Sequence, residues 1–111
     1  MTVSTHILNT ARGRPAAGVK VVIERKELTG FTPIASAVTD EDGRVKQLLT
    51  ATQSTAGEYR ATFAVGEYFE GLSEKSFYPE VHVIFSIEAA HEHYHVPLLL
   101  SPYGYSTYRG S

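Results

Sequence analysis

The sequence predicts an all-β sandwich of two sheets carrying one short helix, and three observations predict it. Apolar and polar residues alternate with period two in run after run; clusters of Gly, Pro, Asp and Asn separate the runs at short intervals; and only one segment has a helical pattern. With 111 residues the chain makes one domain, long enough to bury roughly 65% of its unfolded surface around a single core.

Val3 to Leu8 alternates, with Val3, Thr5 and Ile7 on one side and Ser4, His6 and Leu8 on the other, and ends in the turn-rich ARGRPAAG. Val19 to Glu24 is β-branched and apolar, and Ile34 to Thr39 makes a third strand. Asp40-Glu41-Asp42-Gly43 then supplies a turn in which Gly43 is free to take positive φ, setting Arg44 at the mouth of a fourth strand that runs to Leu49. Glu58 to Val65 is a half-exposed fifth strand, with Tyr59, Ala61, Phe63 and Val65 opposed to Glu58, Arg60, Thr62 and Ala64. The one helical segment, Glu67 to Leu72, is kept to about two turns by Gly71 and Ser73. Val81 to Glu88 alternates again as a sixth strand. Two more, Tyr94 to Leu100 and Tyr103 to Tyr108, lie either side of Ser101-Pro102. In the first of these pairs of faces, His93, His95, Pro97 and Leu99 share one side and Tyr94, Val96, Leu98 and Leu100 the other. Both sides are largely apolar, and a domain this small can cover only one of them. The His95/Pro97/Leu99 side is therefore expected to meet another subunit or a ligand.

Ten basic and twelve acidic residues, without a long run of either, leave no footprint for nucleic acid or an anionic membrane. No apolar stretch approaches the ~18 residues that span a bilayer, and MTVSTHILN has neither the basic nor the apolar region of a leader. Zero cysteines exclude disulfides, thiolate metal sites and a Cys nucleophile, which suits the cytoplasm.

Three constellations could carry chemistry. His91-Glu92-His93-Tyr94-His95 matches the H-E-x-x-H zinc-protease pattern and also reads His-x-His-x-His. The protease pattern needs a helix to bring its two histidines one turn together, whereas here it runs into strand sequence, where residues i and i+4 lie about 13 Å apart. A strand zinc site using His93 and His95 would need a third ligand, and surface residues are the plainer reading of His91 and His93. The second constellation is distributed: His6 on the first strand, Arg44 after the turn, His95 on the seventh. A neutral imidazole accepts a proton near pH 7 and a guanidinium stabilises an oxyanion, so the set is coherent for hydrolysis with water as nucleophile, although each residue alone reads as a solvated side chain. The third is Ser106 to Ser111, either a frayed tail or a Tyr108 and Ser111 hydroxyl lining for a pocket.

The segments STHILNTARGRPA and DEDGR, and above all HYHVPLLLSPYGYSTYRGS with its terminal Tyr-Arg-Gly-Ser, resemble the 5-hydroxyisourate hydrolases, the transthyretin-related enzymes of urate degradation, over essentially the whole chain. The resemblance implies a transthyretin (prealbumin-like) sandwich of two four-stranded sheets with one short helix. It also implies a homotetramer of two dimers face to face, with active sites in the channel between them. By resemblance His6, Arg44, His95 and Ser111 are catalytic, and His6, Arg44 and Tyr108 bind substrate, with Arg109 and Gly110 completing the terminal motif. The implied reaction opens the lactam of 5-hydroxyisourate to 2-oxo-4-hydroxy-4-carboxy-5-ureidoimidazoline without metal or organic cofactor. His6 is expected to help activate water, His95 to orient and relay, and Arg44 to bind the urate-like oxygens. Two rivals stand beside this expectation: a transthyretin-like carrier with an open channel, because carriers share the fold, and a zinc hydrolase built on His91, His93 and His95.

Overall fold

The computed structural model describes residues 2–89 and 92–111. Among them run β1 (Val3–Asn9), β2 (Arg14–Pro15), β3 (Lys20–Glu27), β4 (Gly30–Val38), β5 (Arg44–Leu49), β6 (Gly57–Phe63), α1 (Val65–Gly71), β7 (Val81–Ile87), β8 (Tyr94–Ser101) and β9 (Gly104–Thr107). One sheet has β1 near its centre, paired in parallel with β8, which in turn pairs with β9. Along its other edge β1 holds β5 at its N-terminal half and the short β2 at its C-terminal half, so these two strands fill one column. The second sheet is ordered β4-β3-β6-β7, antiparallel throughout.

The expected two-sheet sandwich with one short helix is present, but one sheet has five strands where four were expected, and the differences have local causes. Arg14 and Pro15, read from sequence as part of a turn, make a two-residue rung opposite Leu8 and Asn9. β3 and β4 run longer than their apolar cores suggest, because the charged segment Glu24 to Glu27 stays in the ladder. Its side chains are satisfied across the strands, Glu24 by Arg60 at 2.8 Å and Lys26 by Glu58 at 3.7 Å, so polarity does not end the strand. β9 is shorter than expected because Ser101 and Gly104 already pair across the turn and the residues after Thr107 leave the ladder.

The core lies between the sheets. Val3, Ile7, Leu98 and Leu100 from one sheet meet Val21, Ile23, Tyr59, Phe63 and Ile87 from the other, and Phe69 of α1 plugs one end. Burial therefore follows the alternation: in β8 the Tyr94/Val96/Leu98/Leu100 side is buried, while His95 and Leu99 on the opposite side are half-buried. β1 shows the same split, its His6 and Leu8 being half-buried on the outer face. The parallel register sets Ser4 beside His95, His6 beside Pro97 and Leu8 beside Leu99. One outer face of one sheet thus carries Ser4, His6 and His95 side by side.

Candidate active site

The turn before β5 fixes Arg44. Gly43 takes φ +73°, and a Cβ there would lie 2.4 Å from the Ile7 carbonyl oxygen, so the position admits only glycine without strain. The Asp40 side chain accepts from the Asp42 and Arg44 backbone N–H groups at 2.9 Å each. Donation from Arg44 is the main reason the Asp40 carboxyl sits below the ordinary carboxylate range. The outcome is an antiparallel pairing of Arg44 directly with His6, a distance at which Cβ atoms are about 5 Å apart.

His95 is reached from the other side of β1. Its Nδ1 is joined to Ser4 Oγ at 2.7 Å, and the same oxygen is joined to His93 Nε2 at 2.9 Å. His93 Nδ1 in turn meets Thr2 Oγ1 at 2.6 Å. The pKa of His95 is lowered, first by burial, which withholds water from the imidazolium, and then by the positive fields of Arg44, His6 and His93; the Ser4 bond opposes the shift. His95 is therefore a neutral imidazole at pH 7, able to accept a proton.

The tail folds back onto this histidine. Gly110 donates its N–H to the His95 carbonyl at 2.9 Å and bridges to it antiparallel. A Cβ on Gly110 would stand 2.4 Å from His95 Cδ2, so the close approach of tail to ring requires glycine. Arg109 anchors the same turn, its guanidinium 4.4 Å from the centre of the Tyr94 ring.

These elements enclose a cleft of about 210 Å³ lined by Ser4, Thr5, Arg44, Lys46, His93, His95 and Ser111. That is smaller than the ~300–1,000 Å³ of pockets for drug-sized ligands. Its side chains bring two cations and two imidazoles but no carboxylate, a setting for a small, oxygen-rich or anionic ligand. Of the residues expected from sequence, Arg44, His95 and Ser111 converge here. His6 lies one rung away, paired with Arg44 and Pro97, and does not line the cleft. Tyr108 instead lines a neighbouring cleft of about 220 Å³ with Val83, Phe85, Val96 and Arg109, and His95 forms the wall common to both. Ser4 and Lys46 were not foreseen. Each follows from a residue that was, Ser4 being two before His6 and Lys46 two after Arg44 on the same strand faces.

The zinc reading meets a different geometry. Residues from Tyr94 onward form a strand, not the helix that H-E-x-x-H requires. His91 lies outside the described residues, and both ring nitrogens of His93 and one of His95 are engaged by hydroxyls. Among the described residues no group of three His, Cys, Asp or Glu is placed to hold a metal ion. Nor, among them, is any helix long and apolar enough to cross a membrane.

Residues 3–110 match the HIUase/Transthyretin family. The chain belongs to this family. It is 51% identical over 108 residues to the 5-hydroxyisourate hydrolase of Salmonella typhimurium, covering 97% of this chain and 79% of the relative. The solved structure of Klebsiella pneumoniae 5-hydroxyisourate hydrolase superposes with a TM-score of 0.88 at 36% identity, covering all of both chains. Sea bream transthyretin in complex with thyroxine superposes with a TM-score of 0.93 at 33% identity, covering 99% of this chain and 95% of the other. Within the HIUase/Transthyretin family the backbone is thus common to enzymes and carriers, and side chains must separate them.

Proposed function

We propose that this enzyme hydrolyses the lactam of 5-hydroxyisourate to 2-oxo-4-hydroxy-4-carboxy-5-ureidoimidazoline, with water as nucleophile and without metal or organic cofactor. The observation that carries the reading is the meeting of a neutral His95 and the Arg44 guanidinium in one small cationic cleft, with His6 on the adjoining rung. Identity of 51% to an enzyme of that name supports the same substrate.

Although His6 is not among the residues lining the cleft, its pairing with Arg44 sets it beside the group that binds the urate-like oxygens; we assign it the proton of the attacking water and its return to the departing lactam nitrogen, while Arg44 stabilises the tetrahedral oxyanion. With Nδ1 engaged by Ser4, His95 presents Nε2 to orient the water through its second hydrogen. The Ser111 hydroxyl lines the cleft beside these groups. Tyr108 closes the site from the side of the neighbouring cleft. The half-buried Leu8 and Leu99 beside His6 and His95 leave an apolar outer face. We assign that face to a homotetramer of two dimers, with the substrate held in the channel between them. The lack of cysteine fits a reducing compartment, and we assign the enzyme to the cytoplasm.

A carrier is the second reading, favoured by the TM-score of 0.93 to a thyroxine complex. Against it stand the cations of the cleft. Turnover of fresh 5-hydroxyisourate in ¹⁸O-water separates the possibilities. One ¹⁸O in the new carboxylate, appearing faster than spontaneous hydrolysis and with the mass of the protein unchanged, is expected. An acyl adduct on the protein would refute water as the direct nucleophile, and no rate above background would refute the reaction.

A further inference from the structure

Hydrolysis of a lactam at pH 7 ends in a carboxylate and so releases one proton per turnover. The water supplies two hydrogens: His6 carries one to the departing nitrogen, and the other leaves as the product acid ionises. This inference rests on the hydrolase reading, and concerns where that second proton goes.

Along the cleft wall from His95 runs an unbroken file of hydrogen-bonding groups, His95 Nδ1 to Ser4 Oγ at 2.7 Å, Ser4 Oγ to His93 Nε2 at 2.9 Å and His93 Nδ1 to Thr2 Oγ1 at 2.6 Å; Ser4 and His93 line the cleft and Thr2 lies beyond its lining. Ser4 is 8% exposed and screened, whereas His93 at the far end is exposed. A hydroxyl has one proton, so Ser4 can donate to only one of its two imidazoles and must accept from the other. The file is therefore directional, and its two directions differ by one proton at each end. When His95 donates Nδ1–H to Ser4, Ser4 donates to His93 and His93 donates to Thr2; His95 Nε2 is then an open acceptor. When all three bonds reverse, His95 carries its proton on Nε2.

We infer that Ser4 and His93 form, with His95 and Thr2, a proton path from the cleft to the protein surface. The ionising product gives its proton to His95 Nε2; Nδ1–H passes to Ser4 Oγ as the Ser4 hydroxyl proton passes to His93 Nε2; His93 releases Nδ1–H through Thr2 to solvent. One proton enters and one leaves, and no bond other than O–H and N–H is made or broken; the file then points the other way, and the starting state returns when the two hydroxyls turn and both imidazoles change tautomer, not by passing the proton back. Ser4 and His93 line the cleft, but in this path they are positioning residues that act through His95. The groups facing His95 from every side support outward travel: His6 from β1, Arg44 and Lys46 from β5, and His93 ahead of β8 are all basic, with Gly110 and Ser111 of the tail completing the wall. An imidazolium at His95 is therefore pushed to discharge.

The test compares wild type, Ser4→Ala, Ser4→Thr and His93→Ala for decay of 5-hydroxyisourate in weakly buffered solution, with thermal unfolding measured on each. For Ser4→Ala and His93→Ala the path predicts kcat lower by on the order of 10-fold, below the 10²–10⁴-fold of a group acting on the bond itself. KM should stay within twofold. Ser4→Thr, which keeps the hydroxyl, should retain activity, and millimolar imidazole buffer should restore kcat to His93→Ala without changing KM. A merely structural role would raise KM or lower the unfolding temperature and would not answer to buffer, and that pattern would overturn the path. So would wild-type kcat in both Ser4→Ala and His93→Ala at low buffer. Wild-type protein that fails to accelerate decay would overturn the hydrolase reading itself, an outcome visible in the first arm and distinct from loss in the variants alone.

Discussion

Gly110→Ala is a small change with a consequence that can be worked from distances. The added Cβ would stand 2.4 Å from His95 Cδ2 and 3.2 Å from both His95 Cγ and Pro97 Cγ, whereas ordinary contact begins at 3.4 Å. Relief needs a separation of about 1 Å between the His95 ring and the tail. Pro97 is buried behind, so the ring or the tail must move. Movement of the ring strains the 2.7 Å bond to Ser4, and movement of the tail breaks the Gly110 N–H bond to the His95 carbonyl and withdraws Ser111. A misplacement of about 1 Å at a reacting group costs up to ~10²-fold in rate, equivalent to about 2.7 kcal/mol of barrier. The core is untouched, since Gly110 contacts only the outer face, so the unfolding temperature should move by no more than a few degrees. The assay is kcat/KM for 5-hydroxyisourate beside a thermal melt. Activity within threefold of wild type would refute the claim that the tail positions His95; activity lost together with folding would refute the claim that the contact serves the site alone.

Other expectations follow from the same geometry. Arg44→Ala should lower kcat by ~10²–10³-fold, the effect of removing one oxyanion donor, with folding little changed because the side chain is exposed; a fully active variant would end its assigned role. Activity requires neutral His95, whose pKa is lowered from the ordinary value of about 6.5. In an NMR titration the His95 ring should therefore stay neutral as pH falls through that ordinary value and protonate only below it; a His95 midpoint at or above pH ~6.5 would contradict the shift. The same sign applies to folding: between the two pKa values the unfolded chain binds more protons, so stability rises with pH there and is lost as pH falls. Gly43→Ala should destabilise the fold by about 1–3 kcal/mol, the cost of a strained positive φ, measured by denaturant titration.

The faces of the strands were legible in the sequence because period two in side-chain direction is a local property. Thus Tyr59, Ala61 and Phe63 point inward and Glu58 and Arg60 outward as read, and the His95/Leu99 side of β8 is the outer one. Which strands are neighbours is a property of the whole chain. Nothing local to Ser4 says that the parallel pairing of β1 with β8 brings it to His95, 91 residues away. Ser4 and Thr2 therefore read as unremarkable polar residues until the pairing is known, and His93, singled out for its spacing from His95, gave no sign of Ser4 standing between the two rings. Strand lengths were misjudged where polarity was taken as an end signal, as at Glu24 to Glu27, because cross-strand ion pairs let charged residues continue a ladder. The Tyr-Arg-Gly-Ser ending, read from sequence as one lining, is divided in the structure: Gly110 and Ser111 go to His95 and the Arg44 cleft, while Tyr108 goes to the cleft on the other side of His95.

The central claim is tested most directly by the decay of freshly generated 5-hydroxyisourate, followed by absorbance after the protein has been treated with chelator. The account predicts acceleration over the spontaneous background that survives the chelator. No acceleration by folded protein would contradict it and make the carrier the leading reading. Activity that appears only on adding zinc would return attention to the histidines around His93.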